Sequence, residues 1–173
     1  MKDIRARIGS TKNTQQITRA MKMVSAAKLR RAQSNIVNAR PYAYKLHAVI
    51  TRLNQSGQFA HPLMRVAPET KKLLLVVMTS DRGLCGAFNS QILKFTDRYI
   101  AEIQGKFEQL DFLFIGRRGA DYYRRRNITP IDTIVNMARE IRYELASQLA
   151  GNIMNRYIDG QYDEVRLIYN EFK

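Results

Sequence analysis

The segment TSDRGLCGAFN (residues 79–89) gathers side chains that can do chemistry. A carboxylate (Asp81), a thiol (Cys85) and two glycines (Gly83 and Gly86) lie between an apolar run and an amphipathic stretch. A glycine-bearing turn at a helix N-terminus can cradle phosphate on free backbone amides. The spacing Gly83-x-x-Gly86 matches neither the dinucleotide fingerprint nor the P-loop, and no Lys-Ser/Thr pair follows it. Tight backbone packing between a strand and a helix is therefore the favoured role of both glycines. Asp81 could hold Mg²⁺ or accept a phosphoryl group, but one carboxylate alone favours a turn or capping role. Cys85, near a helix start and Arg82, could carry a lowered pKa. No histidine is close in sequence to serve as its base, so it reads as a small buried apolar residue.

The remaining reactive types are scattered. His47 and His61 have no metal-ligand spacing between them. Cys85 is the only cysteine, which excludes an intrachain disulfide or a multi-cysteine metal site and fits a reducing compartment. Arg117-Arg118 and Arg124-Arg125-Arg126 flank Tyr122-Tyr123, a pattern that could bind nucleic acid through phosphate contacts and stacking. A solvated helix face whose tyrosine bodies pack on a sheet explains it at least as well. No catalytic, cofactor-binding or metal-binding set emerges.

The elements that position these groups follow from periodicity. LLLVVMTS (73–80) is a continuous apolar run, as expected of a strand covered on both faces. Residues 87–104 read as a helix with Phe88, Ile92, Phe95, Tyr99 and Ile103 on one face. LDFLFIG (110–116) is a second strand, 117–126 a short basic helix, and IDTIV (131–135) a third strand. Residues 138–158 form a helix bearing Ile141, Leu145, Leu149 and Ile153, and EVRLIYNEF (164–172) a last strand. Strands alternating with helices predict a parallel-type sheet with helices on its faces. Residues 71–173 form this globular body, and 58–70 a proline-bearing linker. No run approaches the ~20 apolar residues that span a bilayer. The start MKDIRARIGS lacks the apolar core of a secretory signal; its Arg-rich character faintly resembles a transit peptide, but a structural helix is the better reading.

Residues 1–57 differ in kind. The first sixty residues carry twelve Lys/Arg and one acid, Asp3, whereas residues 61–173 carry seventeen bases and fourteen acids, within a net charge of +14. Leu29, Ala32, Ile36, Ala39, Ala43, Leu46, Ile50 and Leu53 alternate steps of three and four, the pattern of a coiled-coil strand. Before Leu29 the apolar set moves to Ile17, Ala20, Val24 and Ala27, a slip that resembles a stutter. A helix over residues 2–55 is predicted, stopping near Ser56-Gly57, with a kink or local opening at Pro41. At ~1.5 Å per residue it would be ~80 Å long. A body of about 110 residues has a radius of gyration of only ~13 Å, so much of the seam needs another helix. The charge also calls for an anionic partner: DNA, an acidic membrane surface or an acidic protein ring would each serve.

RIGSTKNTQQ (7–16) and ITRAMKMVSAAKLRRAQ (17–33) closely resemble the N-terminal helix signature of the gamma subunits of rotary F-type ATP synthases. SDRGLCGAFN (80–89) resembles that family's second signature, and YNEF (169–172) its strand-end motif. The resemblance covers all 173 residues. It implies an α/β fold class, a long N-terminal coiled-coil helix plus a Rossmann-like alternating α/β domain. It further implies a non-catalytic central-stalk rotor that couples proton-driven rotation to ATP synthesis. The expected partners are the alpha and beta subunits of a hexamer, the epsilon subunit and the membrane c-ring, with no nucleic acid and no cofactor. The family's next strand and long C-terminal gamma helix, the antiparallel partner of the seam, are not carried by this chain. The implied location is peripheral, on the cytoplasmic face of the bacterial inner membrane, rather than mitochondrial or plastid. Met21, Lys22, Met23, Val24, Lys28, Arg30 and Arg31 match the portion that the family places against acidic loops and the bearing of the hexamer. The chain's two competing readings are a nucleic-acid binder and an enzyme with a phosphate site at Gly83–Ala87.

Overall fold

A computed structural model describes residues 2–57, 61–65, 68–137 and 142–171. The chain divides into two compact units, Met1–Ala60 and His61–Lys173. The first is a single helix, α1 (Lys2–Ser56, 55 residues). It runs helical through Pro41, so the expected local opening does not occur, although proline has no amide to donate to the preceding turn. It stops where Gly57 takes φ +64, a left-handed conformation that glycine adopts without a Cβ clash. Among its described residues every side chain is exposed except those of Gln33 and Arg40, which are half-buried.

The second unit begins with a 3₁₀ turn (Pro62–Met64) and then alternates β1 (Lys72–Met78), α2 (Phe88–Ile103), β2 (Gln109–Ile115), α3 (Arg117–Arg124), β3 (Asp132–Ile134), α4 (Tyr143–Ile158) and β4 (Glu164–Ile168). The strands form one sheet in the order β3-β2-β1-β4, and every neighbouring pair is parallel. β1 lies second from one edge with Leu73–Val77 fully buried, which is why it reads as an unbroken apolar run. On one face Leu75, Val77, Phe112, Phe114 and Ile168 pack with Ile92 and Leu93 of α2 and Ala120 and Tyr123 of α3. On the other, Leu74, Val76, Leu113 and Ile115 pack with Tyr162 and with Leu149 and Ile153 of α4.

Several expected boundaries shift. β1 ends at Met78 rather than residue 80, because the Ser80 amide donates to the Asn89 side chain instead of to a neighbouring strand. α3 ends at Arg124 and β3 is shorter than 131–135. α4 starts at Tyr143 behind an extended Arg142; the expected residues 138–141, including Ile141, lie outside the described residues, and Leu145 is exposed. β4 stops at Ile168, where its ladder with β1 ends, and Asn170 turns aside to donate to the Phe88 carbonyl (3.3 Å). Within α2 the buried stripe is rotated: Phe88 and Phe95 are exposed, while Leu93 and Thr96 are buried. Phe95 instead stacks on Tyr99 (6.2 Å between centroids), and burial of Thr96 is tolerated because its hydroxyl donates to the Ile92 carbonyl (2.8 Å).

Tyr162 illustrates how the second face is satisfied. Its ring is buried and its hydroxyl donates to Asp111 (2.9 Å); burial, and then that bond, push its pKa up to about 12. Asp163 accepts from the amides of Lys71 and Lys72 (2.9 Å each) at the start of β1, and these bonds hold its carboxyl below the usual range. A carboxyl depressed by folding stabilises above its unfolded pKa, near 3.9, and the gain is lost as pH falls through the folded value. Asp163→Ala is therefore expected to cost about 1 kcal/mol at pH 7, a modest figure because the group is only half-buried. The gap to the parent chain should narrow as pH falls below about 4; urea unfolding across pH 3–7 checks it, and a gap as wide at pH 3 as at pH 7 would rule out the carboxylate as its source.

Candidate partner interface

The groups singled out for chemistry converge where β1, β2 and β3 end. Asp81 accepts from the amides of Arg117 (3.1 Å) and Asn136 (2.8 Å), so its carboxylate ties together the segments that follow all three strands. Thr79 Oγ1 accepts from the Gly119 amide (2.9 Å), and the Ser80 carbonyl accepts from the Arg118 amide (3.1 Å). The first amides of α3 are thus used by the chain itself rather than offered to a ligand. Across the turn the Asn89 side chain accepts from the Ser80 amide (3.0 Å) and donates to Ser80 Oγ (2.8 Å) and Cys85 Sγ (3.1 Å). Gly83 packs beside Arg118, whose guanidinium would lie 3.0 Å from a Cβ there, and Gly86 supplies φ +58 to the turn.

Two features correct or extend the sequence reading. Cys85 is exposed rather than a buried apolar residue, because its sulfur faces the polar Ser80–Asn89 pair. Leu84, not singled out above, stands fully exposed at φ +61. A non-glycine residue there is uncommon and costs about 1 kcal/mol or more. The only sequence signal for it is a large apolar residue inside a Gly-x-x-Gly turn.

The Arg-Tyr cluster is already occupied. Tyr122 and Tyr123 both donate to the Asp97 carboxylate (2.5 and 2.8 Å). For Tyr122 that bond raises the phenol pKa; for Tyr123 burial does so first and the bond second. Tyr123 stacks on Phe112 and Phe114 (5.6 and 5.2 Å), and the Arg126 guanidinium covers the Tyr122 ring at 3.6 Å. The aromatic platform that base stacking would need is engaged within the fold. His61 Nδ1 accepts from the Leu63 amide (3.1 Å), and no group of three potential metal ligands exists among the described residues.

The largest unsatisfied surface belongs to α1. Along the seam Leu29, Ile36, Leu46, Ile50 and Leu53 are between 40% and 57% exposed, and Ala32, Ala39 and Ala43 are exposed with them. Toward the N-terminus Met21, Met23 and Val24 are equally exposed, interleaved with the exposed Lys22, Lys28, Arg30 and Arg31. An apolar stripe of this length left in water marks an interaction surface. No helix among the described residues is long and apolar enough to cross a membrane.

The chain thus combines a long helix bearing an exposed apolar seam with a separate α/β unit built on a parallel sheet packed on both faces. A family model described as ATP synthase matches residues 1–173, and the chain belongs to that family, on its gamma-chain branch. It is 57% identical to the ATP synthase gamma chain of Bdellovibrio bacteriovorus, covering 100% of this chain and 59% of that one. It is 49% identical to the ATP synthase gamma chain of Geobacter sp. strain M21, covering 100% of this chain and 60% of the other. Among solved structures, a chain from the central stalk and c-ring of the Tetrahymena thermophila mitochondrial ATP synthase matches at a TM-score of 0.71 and 29% identity, over 91% of this chain and 66% of that one. The chain thus spans about 60% of the length of the curated relatives it matches.

Proposed function

We propose that this chain forms the N-terminal portion of the central-stalk rotor of a proton-translocating F-type ATP synthase. The observation that carries the reading is α1: 55 helical residues whose apolar seam is exposed and whose segment bears one acid against twelve bases. Such a surface asks for two partners at once, an apolar helix and acidic surroundings. A C-terminal gamma helix would supply the first and a hexamer of alpha and beta subunits the second. The sheet unit would engage the epsilon subunit and the membrane c-ring, placing the protein peripherally on the cytoplasmic face of a bacterial inner membrane.

In this role the chain breaks no covalent bond. Rotation presents a different side of α1 to each catalytic subunit in turn, and only contacts that differ between a subunit's states can shift its populations. Met21 and Met23 suit a sliding contact because the thioether side chain is flexible and polarizable. Lys22, Lys28, Arg30 and Arg31 supply long-range attraction to acidic loops without fixing one rigid geometry. The nucleic-acid reading is set aside because its stacking platform is engaged within the fold.

Charge reversal tests the collar. In an assembled synthase whose gamma chain carries these residues, Lys22→Glu, Arg30→Glu and Arg31→Glu together should lower the protons pumped per ATP hydrolysed. Assembly should survive, since Leu29, Ile36, Leu46 and Ile50 are untouched. Unchanged pumping per ATP would remove an acidic collar as the explanation of the charge.

A further inference from the structure

The seam of α1 is uneven in depth. Taken in order its members are Leu29, Ala32, Ile36, Ala39, Ala43, Leu46, Ile50 and Leu53, all exposed along one unbroken helix. Ala39 and Ala43 are the only consecutive pair in which both side chains are small. Beyond them Leu46, Ile50 and Leu53 are three large side chains in a row. From Leu29 to Leu53 the seam runs ~36 Å at ~1.5 Å per residue, and its steps of three and four keep it on one side of α1. An extended strand has a different period, so only another helix can follow such a seam over that length.

A helix meets a seam of this kind by setting each apolar side chain into a hole made by residues i, i+3, i+4 and i+7. Two adjoining holes share both alanines: Ile36, Ala39, Arg40 and Ala43 make one, and Ala39, Tyr42, Ala43 and Leu46 the next. With methyl floors and longer walls, these are the deepest holes of the seam. Helix axes pack ~8–10 Å apart, depending on the side chains at the contact. Alanines draw a partner to the near end of that range, and a run of Leu and Ile holds it at the far end. Pro41 supplies an independent sign. At ~100° per residue it lies ~160° around α1 from both Ala39 and Ala43, on the opposite side. It has no amide for the Val37 carbonyl and its ring crowds that oxygen, so the bend it favours opens the proline side and closes the alanine side. A curve of that sense wraps α1 toward a partner at the alanines.

We propose that α1 receives its partner helix at two depths: two large apolar side chains of the partner enter the Ala39–Ala43 holes, and small ones face Leu46, Ile50 and Leu53. This size code fixes the register, since a slip of one heptad, ~10.5 Å, would set large side chains against large ones. That a helix covers the seam rests on the rotor reading; the depth profile is a separate claim with its own outcome.

Fluorescence anisotropy tests both, with a labelled peptide spanning the C-terminal helix of the Bdellovibrio bacteriovorus gamma chain titrated by the 173-residue chain. The parent chain should bind it. Ala39→Leu and Ala43→Leu should each weaken binding about tenfold or more, because a closely packed contact does not take three added carbons without strain. Both positions are exposed in the free helix and leucine is nearly as good a helix former as alanine, so helicity by circular dichroism should not fall. In a second arm, apolar residues of the peptide are shortened to alanine one at a time. At least one shortened peptide should recover binding to Ala39→Leu while binding the parent more weakly, a size exchange that a general loss of helix cannot produce. Unchanged or tighter binding by both leucine variants would show the alanines to be gaps or to lie outside the contact. That result, or rescue by none of the shortened peptides, would overturn the size code and leave the rotor reading intact. A parent chain that binds no such helix would count against the partner helix of the rotor reading, and the size code would fall with it.

Discussion

Replacing Gly116 by alanine is expected to unfold the sheet unit or bring it close to unfolding. Gly116 closes β2 at φ +101, a conformation that L side chains rarely adopt, and an added Cβ would lie 2.1 Å from the Thr79 carbonyl oxygen and 2.6 Å from its carbon. Those atoms are backbone, so no rotamer change relieves the overlap. Nor can the main chain retreat cheaply. Thr79 donates its amide to Ile115 (2.7 Å), and Gly116 donates its own to Ile134 (2.8 Å), so the same two residues join the ends of β1, β2 and β3. The cost should be about 4 kcal/mol or more, a large share of the ~5–15 kcal/mol that a domain has in total. Gly86→Ala is the matched control. Gly86 also has a left-handed φ (+58), but nothing lies within 4 Å of its absent Cβ, so about 1 kcal/mol is expected there. Urea unfolding followed by tyrosine fluorescence reports mainly the sheet unit, which holds every tyrosine but Tyr42 and Tyr44. A Gly116→Ala midpoint equal to that of Gly86→Ala would show that the approach to Thr79 is not a constraint.

What makes Gly116 decisive was not visible in the chain of letters, and the reason is general. Burial patterns come from short-range periodicity: Leu73–Val77 reads as a covered strand and Leu29–Leu53 as a seam because each is repeated within one element. Contacts between elements leave no such trace. Asp81 bonds to residues 36 and 55 positions away, and the Gly116–Thr79 approach depends on how two strands end side by side. The chain therefore showed the residues of the turn without showing that they lock three segments together. The α2 stripe shows the complementary failure. Phe95 looked like core by type, yet Thr96 is the buried residue, because a hydroxyl bonded to the preceding turn can be buried while an aromatic pair can remain at the surface. Cys85 was misjudged and Leu84 passed over for a related reason: their exposure follows from a turn conformation that hydropathy does not encode. The resemblance to gamma subunits placed Met21 to Arg31 on a partner surface, whereas residue spacing alone left DNA, membrane and protein equally open.

Hydrogen exchange along α1 should show the second large effect. A helix of 55 residues with its seam in water gains little from packing, and helices rely on tertiary burial for most of their stability. Its basic side chains also repel one another, with a range of ~10 Å at 0.1 M salt and three times that at 0.01 M. In the isolated chain, therefore, amides of residues 2–35 are expected to exchange with little protection, and with less at low salt. Those of β1 and β2, buried on both faces, should be slow. Adding a C-terminal gamma helix or an alpha–beta hexamer should change this by two orders of magnitude or more, since burying several Leu and Ile side chains contributes about 2 kcal/mol each. The new protection should centre on Leu29, Ile36, Leu46 and Ile50, and the hexamer should extend it toward Met21 and Met23. The two partners separate the two surfaces: the helix reports the seam, the hexamer the basic, methionine-bearing face. Strong protection of residues 2–35 in a demonstrated monomer, unaltered by either partner, would mean that the seam is satisfied within this chain and that α1 is not a stalk waiting for its partners.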